Sequence, residues 1–273
     1  GKAVVWMVLE DRGFGGPVSA EQALVEELRR SYPELQFRDA FPLLTGMRMV
    51  KDPTEVATVQ RAIDVTVEAQ KAAMRRVGSA RHEYEVQATI EYTFRNLGAC
   101  CWGFPSIVAS GRNATTLHYE ANNDPIPPGR LMLTDIGAEV DGYTADVTRT
   151  YPQNGRFSPE QRAIYDAVLR AQAETMALMK PGARMGEVHE AAIRILGEDL
   201  LKLGLVSRNE RKQVRMYFPH GLGHHLGLRV HDVVDRGRPL EPGMIVTNEP
   251  GVYVRADDVR ANPVYLGLPA NER

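Results

Sequence analysis

Residues 131–150 read LMLTDIGAEVDGYTADVTRT. Two runs rich in apolar and β-branched residues flank the dipeptide Asp141-Gly142, so the stretch reads as two β-strands joined by a tight turn. A two-residue hairpin loop of the favoured hand needs positive φ, which Gly tolerates best. With Asp141 and Gly142 as the loop, Val140 faces Tyr143, Asp135 faces Thr148 and Gly137 faces Asp146. Asp135 and Asp146 then share one face as diagonal neighbours, with Cβ atoms about 7–8 Å apart or somewhat less. Two carboxylates converging between such strands lose hydration and repel each other. A cation between them removes both penalties. The other reading has one Asp exposed and the other capping a loop, and the hairpin alone leaves both open.

The composition sets bounds around this hairpin. A length of 273 residues suffices for one large domain or one and a half smaller ones. A net charge of −2 gives no sign of nucleic acid or of an anionic membrane as partner. No apolar run approaches the roughly 20 residues of a transmembrane helix. No signal peptide precedes the first strand. The chain opens on Gly1 rather than Met, so the natural N-terminus is expected upstream. Cys100 and Cys101 are adjacent, and adjacent cysteines rarely bridge. Without a disulfide framework, a reducing compartment, the cytoplasm, is expected.

N-terminal to the hairpin, Lys2 to Leu9 (KAVVWMVL) is consistent with a buried strand, broken by Phe14-Gly15-Gly16-Pro17. Ser19 with Gln22 makes a capping box for a helix to about Arg30. Residues 1–45 thus read as a strand, a helix and a further strand. They are too few to close a core alone and fit the end of a truncated N-terminal domain. Asp52-Pro53-Thr54-Glu55 supplies an N-cap, a Pro at the first helical position and a Glu at the third. Val56, Val59, Ile63, Val67 and Met74 follow at helical spacing, and Gly78 stops the helix. A second helix is expected over Glu83 to Leu97, with Val86, Ile90, Phe94 and Leu97 on one stripe. Strand-like segments follow at Ser106 to Ser110, around Leu117, and in the hairpin.

The pattern recurs C-terminally. Ser158-Pro159-Glu160-Gln161 is another capping box. Its helix carries Ile164, Val168, Ala171, Met176 and Met179 and ends at Pro181-Gly182. A second helix is expected from about Gly186 to Leu203. Strand-like segments come around Met216 to Phe218, Leu226 to Val230 and Met244 to Thr247. Helix, helix, strands therefore occurs twice. Either a two-fold structural repeat or the ordinary alternation of an α+β domain accounts for it.

The second half also carries PHGLGHHLGLRVHD at residues 219–232, with four of the seven histidines. His220 and His224 stand at i,i+4, but the intervening glycines and Pro219 argue against a helix, and no Glu follows His220. Gly221, Gly223 and Gly227 fall one residue out of step with a dinucleotide fingerprint. They fit backbone passing close to a ligand or another strand. The alternative is a histidine-rich surface turn. Glu249 ends the apolar run MIVT and precedes Pro250-Gly251, a place suited to a metal ligand or catalytic group.

Taken together, Asp135, Asp146, His224 and Glu249, within TDIGAEVDGYTADVTRTYPQNGRFS, PHGLGHHLGLRVHDV and LEPGMIVTNEPGVY, resemble the pita-bread metallopeptidases. Among them the chain looks like the Xaa-Pro peptidases, aminopeptidase P and prolidase, over about Arg48 to Tyr253. Methionine aminopeptidase shares the metal scheme, but the HDV ending and MRMVKDPTEV fit the Xaa-Pro branch better. The resemblance implies an α+β pita-bread (creatinase/aminopeptidase) fold with pseudo-two-fold helix-helix-strand halves. It divides the chain into 1–45, the remnant of an N-terminal α/β domain, and 46–273, the catalytic domain. The implied activity is hydrolysis of the Xaa-Pro bond at the N-terminus of proline-containing peptides through a dinuclear metal-activated hydroxide. The implied cofactors are two divalent ions, Mn²⁺ first and Co²⁺ or Zn²⁺ as alternatives.

Residue by residue, Asp135 is implied as a bidentate ligand, Asp146 as a bridging one, and His224 and Glu249 as the remaining ligands. His118, in TTLHYEANN, matches a histidine beside the scissile bond. His231 matches one that contacts substrate and helps proton transfer, and His220 a supporting pocket histidine. His82 and His189 read as exposed helix residues, and His225 has no family role. A fifth ligand, a second bridging Glu in an R-I-E-D type phrase, has no counterpart after Tyr253. Glu272, in ANER, stands in the wrong context, so that strand is expected beyond the sequence shown. A homo-oligomer, a dimer, is expected.

The chemistry suits the residues. The bond before proline is a tertiary amide without N–H, and two metals roughly 3.5–4 Å apart polarise its carbonyl and stabilise the oxyanion. Carboxylates with one imidazole favour hard divalent ions. The departing proline nitrogen needs a proton that His118 or His231 would position. Competing readings are an Xaa-Pro dipeptidase (prolidase), a metal-free creatinase-like hydrolase, and a non-catalytic peptide- or protein-binding domain on the same fold. Retention of the Asp135–Asp146 pair argues against the creatinase-like reading, and retention of all four ligands with His118 and His231 argues against the binding domain. TRTYPQNGRFSPEQRAIYDAVL leans toward aminopeptidase P, whereas MKPG and HGLGH occur in prolidases as well.

Overall fold

The structure is a computed structural model that describes residues 3–9 and 18–255. The Phe14–Pro17 break and Glu272 lie outside the described residues. β1 (Val4–Met7) pairs in parallel with β2 (Gln36–Asp39). Between them α1 (Ala20–Ser31) starts at the expected Ser19–Gln22 capping box. α2 (Phe41–Met49) runs across residues 45 and 46, where the chain was divided above. α3 (Pro53–Arg76) is capped by Asp52, whose carboxylate accepts from the N–H groups of Thr54 and Glu55 while Glu55 reciprocates. α4 (Glu83–Asn96) packs beside it.

Six short strands then build two antiparallel sheets. One has the order β3 (Cys101–Trp102), β6 (Ala138–Val140), β7 (Tyr143–Thr144); the other runs β4 (Ile107–Ser110), β5 (Leu131–Ile136), β8 (Val147–Pro152). The hairpin register is the expected one, with Val140 opposite Tyr143 and Asp135 opposite Thr148. Asp141 and Gly142 have φ of 50° and 81°, the positive pair that this turn requires. Gly137 admits no side chain, since a Cβ there would lie 1.8 Å from the Ala145 carbonyl oxygen.

The second half consists of α5 (Pro159–Leu178), capped by Ser158, α6 (Met185–Lys202) and α7 (Arg211–Tyr217). Each half has its own core. One gathers Ala62, Ala69, Val86, Ile90, Phe94, Met132 and Ile136, and the other Ala171, Ile195, Leu196, Leu200, Tyr217 and Phe218.

Several local expectations are corrected. No strand forms around Leu117; a 3₁₀ turn over Gly111–Thr115 leads instead to His118, whose φ is 52°. Met216 and Tyr217 form the last turn of α7 and Phe218 caps it, because Val214, Tyr217 and Phe218 bury one face of that short helix beside α6. The segments around Leu226 and Met244 pair as 222–226 against 245–249, with a single antiparallel bridge between His225 and Val246. The chain beyond Leu226 turns back through a Gly227 N–H to Arg229 carbonyl bond, which ends the pairing there. The buried faces of α3 and α5 also differ from expectation. Val56, Met74 and Met176 are exposed, whereas Ala62, Thr66, Ala69, Gln70, Ala73, Ala167 and Thr175 face inward beside the expected Val59 and Ala171. Small residues let a helix lie close on its neighbours, and in α3 the polar ones bond the sheet.

Candidate metal centre

Gln70 of α3 is the bridge between helix and hairpin. Its amide nitrogen donates to the carbonyls of Thr134 (3.1 Å) and Val147 (2.6 Å), and its amide oxygen accepts from the Thr134 hydroxyl (2.6 Å). These are the residues next to Asp135 and Asp146. Thr66, one turn earlier, accepts from the Ala138 N–H at 2.9 Å. The two aspartates are therefore held from behind by α3.

Opposite them, the 222–226 and 245–249 segments bring in His224 and Glu249. Glu249 N–H donates to Leu222 carbonyl, Thr247 N–H to His224 carbonyl, and Leu226 N–H to Ile245 carbonyl. Gly223 makes this approach feasible, since a Cβ there would lie 2.1 Å from the Thr247 carbonyl oxygen. Gly227 is equally confined, 2.4 Å from Asp232 Oδ2, while Gly221 faces open space. The Thr247 hydroxyl accepts from His224 N–H (2.9 Å) and donates to Glu249 Oε1 (2.8 Å), tying the two candidate ligands together.

The expected ligands converge. His224 Nε2 lies 3.2 Å from both Asp146 Oδ2 and Glu249 Oε1. One donor atom from each of Asp146, His224 and Glu249 falls within 4.8 Å of the others. Asp135 adjoins them, and its Oδ1 is buried with no hydrogen-bond partner. His224 Nδ1 points to the His225 carbonyl at 3.0 Å, which leaves Nε2 to face the carboxylates.

Electrostatics describe a site built for positive charge. Burial, then the Asp146 carboxylate, pushes Asp135 up to about 8. Burial alone would lower His224, but its contacts with Asp146 and Glu249 outweigh that and raise it to about 10. Burial works to raise Glu249, yet His224 and Thr247 hold it below the usual carboxylate range. Protons thus compensate carboxylate charge that a cation would otherwise balance. The orphaned Asp135 oxygen and the clustered donors fit a divalent ion.

The other expected histidines surround this cluster. The His231 ring packs edge-on against His224, centroids 4.2 Å apart, so that one side of it is covered while the residue stays open to solvent on the other. Burial of its ring and the neighbouring His224 hold it below the ordinary histidine range. His220 is half-buried, with Nδ1 2.7 Å from the Gly221 carbonyl and Nε2 3.0 Å from the Tyr253 hydroxyl. His118 is exposed and lies close enough to act electrostatically on both His220 and His231. Its left-handed backbone is uncommon for a residue other than Gly. His82 caps α4 and is half-buried, stacked on Tyr84. His189 is likewise half-buried, packed on Phe218 with a buried Nδ1 lacking a partner, so the expectation that both are exposed is corrected. His225 is buried at 5 % exposure.

Sequence reading missed Gln70, Thr247 and Tyr253, and with them the Lys51–Asp232 pair beneath the histidine loop. The available signals were a polar residue on the inward face of α3 and the charge pattern RMVKD before its cap.

Residues 57–264 match metallopeptidase family M24, and the chain belongs to that family. It is 39 % identical over 254 residues to an Xaa-Pro aminopeptidase of Haemophilus influenzae, covering 90 % of this chain and 58 % of the relative. It is 39 % identical over 236 residues to the Xaa-Pro aminopeptidase of Escherichia coli, covering 83 % and 53 %. The chain therefore spans little more than half the length of these curated relatives. Aminopeptidase PepP of Pseudomonas aeruginosa superposes with a TM-score of 0.82 at 35 % identity, over 96 % of this chain and 62 % of that one. Zinc-substituted E. coli aminopeptidase P in complex with product superposes with a TM-score of 0.81 at 35 % identity, over 97 % and 63 %. The α+β pita-bread fold stands as expected, these relatives and neighbours are Xaa-Pro peptidases, and family membership implies dependence on divalent metal.

Proposed function

We propose that this chain is the catalytic part of an Xaa-Pro aminopeptidase that removes the residue preceding proline from the N-terminus of peptides. The observation that carries the reading is the convergence of Asp146, His224 and Glu249 beside the orphaned Asp135 oxygen. These four residues would hold two divalent cations, Mn²⁺ first and Co²⁺ or Zn²⁺ as alternatives. Bound there, the cations supply a water nucleophile at neutral pH and polarise the scissile carbonyl.

The chain's own residues do the rest. Thr247 orients Glu249, and the His225 carbonyl orients His224. In this reading His231, whose surroundings disfavour its charged form, and His118 flank the departing proline nitrogen and position the proton it gains. His220, braced by the Tyr253 hydroxyl, shapes the adjoining wall. None of these contacts requires an N–H on the scissile amide, which a bond to proline lacks.

The division into 1–45 and 46–273 belongs to this reading and is supported by β1 and β2 pairing only with each other among the described strands. So does a cytoplasmic location, supported by two adjacent free thiols. Among the described residues no helix is long and apolar enough to cross a membrane. A homodimer follows from the resemblance and is checked by sedimentation.

The test is hydrolysis of an Xaa-Pro dipeptide and an Xaa-Pro-Yaa tripeptide, side by side, with added Mn²⁺, Co²⁺ or Zn²⁺. Cleavage of the tripeptide is expected. Preference for the dipeptide would make the protein a prolidase. Cleavage of neither, with metal bound, would make it a peptide-binding domain.

A further inference from the structure

A second convergence of metal-ligating side chains lies outside the centre described above. Leu97 caps α4, and Gly98, with φ of 91°, turns the chain toward β3. The Ala99 carbonyl accepts from the Arg95 guanidinium at 2.9 Å, and the Cys100 carbonyl accepts from the same group. Cys100 N–H donates to the Glu139 carbonyl at 3.1 Å. Cys101 stands directly opposite Glu139 in the β3–β6 pairing, so their side chains share a face. Cys100 precedes the strand and escapes its alternation, which turns its thiol to the same side. Cys100 Sγ lies 3.0 Å from Cys101 Sγ and 3.4 Å from Glu139 Oε1. All three donors fall within 4.8 Å of one another.

We propose that Cys100, Cys101 and Glu139 form a binding site for a thiophilic divalent cation of the Zn²⁺ or Cd²⁺ class. Two thiolates and a carboxylate supply three positions of a tetrahedron, and water takes the fourth. Thiolate is a soft ligand that selects Zn²⁺ or Cd²⁺ over Mn²⁺, whereas the carboxylate-rich centre at Asp135 and Asp146 suits harder ions. The chain thus carries two sites of opposite preference on successive strands, since Asp135 in β5 and Glu139 in β6 are four residues apart. Binding breaks two S–H bonds and forms two S–metal bonds, with both protons released to solvent and no change of oxidation state. The backbone bonds from Arg95 and to Glu139 hold the pair in place before the ion arrives, so little ordering is required.

The experiment titrates the reduced full chain, saturated with Mn²⁺, with Cd²⁺ and follows the thiolate-to-cadmium charge-transfer band in the ultraviolet. The centre at Asp135 contains no thiol and contributes nothing to that band, so the result is separable from whether peptides are cleaved. One equivalent with a saturating band is expected. C100S and C101S are each expected to weaken binding by on the order of tenfold or more, and E139Q by a similar factor. Absence of the band, a band that survives in the C100S/C101S double variant, or two independent half-intensity contributions would overturn the site. Unchanged affinity in E139Q would overturn the three-donor assignment.

Discussion

Asp232 immediately follows His231, and its side chain is 1 % exposed, as is that of Lys51. Lys51 Nζ stands 3.6 Å from Asp232 Oδ2. Arg48 and the Val233 N–H bond Oδ1, and Asp232 N–H donates to the His225 carbonyl at 2.9 Å. Lys51 N–H in turn donates to the Gly243 carbonyl at 2.8 Å. The loop carrying His224 and His231 is thereby fastened to the α2–α3 junction through the buried Asp232 carboxylate and its two cationic partners, of which Lys51 is as deeply buried as the carboxylate. Asp232→Asn keeps the shape and removes the charge, leaving a buried ammonium without its counter-ion. Breaking a buried pair in this way costs about 3–5 kcal/mol. At about 2–4 °C per kcal/mol for a chain of this size, Tm falls by about 6–20 °C.

The pH dependence carries a definite sign. Burial holds Lys51 below its ordinary value of 10.5, and Asp232 opposes that shift. Without Asp232 the folded-state value drops further, while the unfolded lysine keeps its proton up to about 10.5. The unfolded state of the variant then binds more protons through that window, so its stability rises with pH. Thermal melts from pH 6 to pH 10 should show the gap to the parent protein narrowing as pH rises. Lys51→Met in the Asp232→Asn background removes the orphan charge and recovers much of the loss. A fall in Tm below about 2 °C, a gap independent of pH, or no recovery in the double variant would refute the reasoning.

His224→Ala is expected to lose bound metal and tripeptide cleavage together, by more than about a hundredfold; normal metal content with normal turnover, by elemental analysis and assay, defeats the assignment. In the metal-free chain the raised Asp135 and His224 bind protons that the unfolded chain releases above about 3.8 and 6.5. Their contribution is complete below those values and lost as pH rises through about 8 and 10, so Tm after chelation should fall across that range. Metal binding near pH 7 should correspondingly release protons into a weakly buffered indicator solution. Glu83 is fully buried and accepts from the Ser110 N–H and hydroxyl, the Tyr119 hydroxyl and the Asp124 N–H. Glu83→Leu strands those donors, at a cost of about 3 kcal/mol or more, and loosens the loop bearing His118. Tm should drop and KM rise, and an unchanged Tm counts against it.

What was legible in the sequence is what local chemistry decides. The capping boxes at Ser19, Asp52 and Ser158 are satisfied within three residues, so the helix starts follow from neighbours alone. Asp141-Gly142 set the hairpin register for the same reason, and register put Asp135 and Asp146 on one face. The misreadings at Leu117 and Met216–Phe218 arose where a few apolar residues suit strand or helix equally and only tertiary contacts choose. The supports of the site were hidden by distance along the chain. Gln70 reads as one more polar position of an amphipathic helix, yet it bonds carbonyls 64 and 77 residues away, in β5 and β8. Two carboxylates forced together would push their strands apart, and the Gln70 amide ties both strands at the residues adjoining those carboxylates. The motif supplies the carboxylates, and a buried amide that belongs to no motif holds the two strands that bear them together.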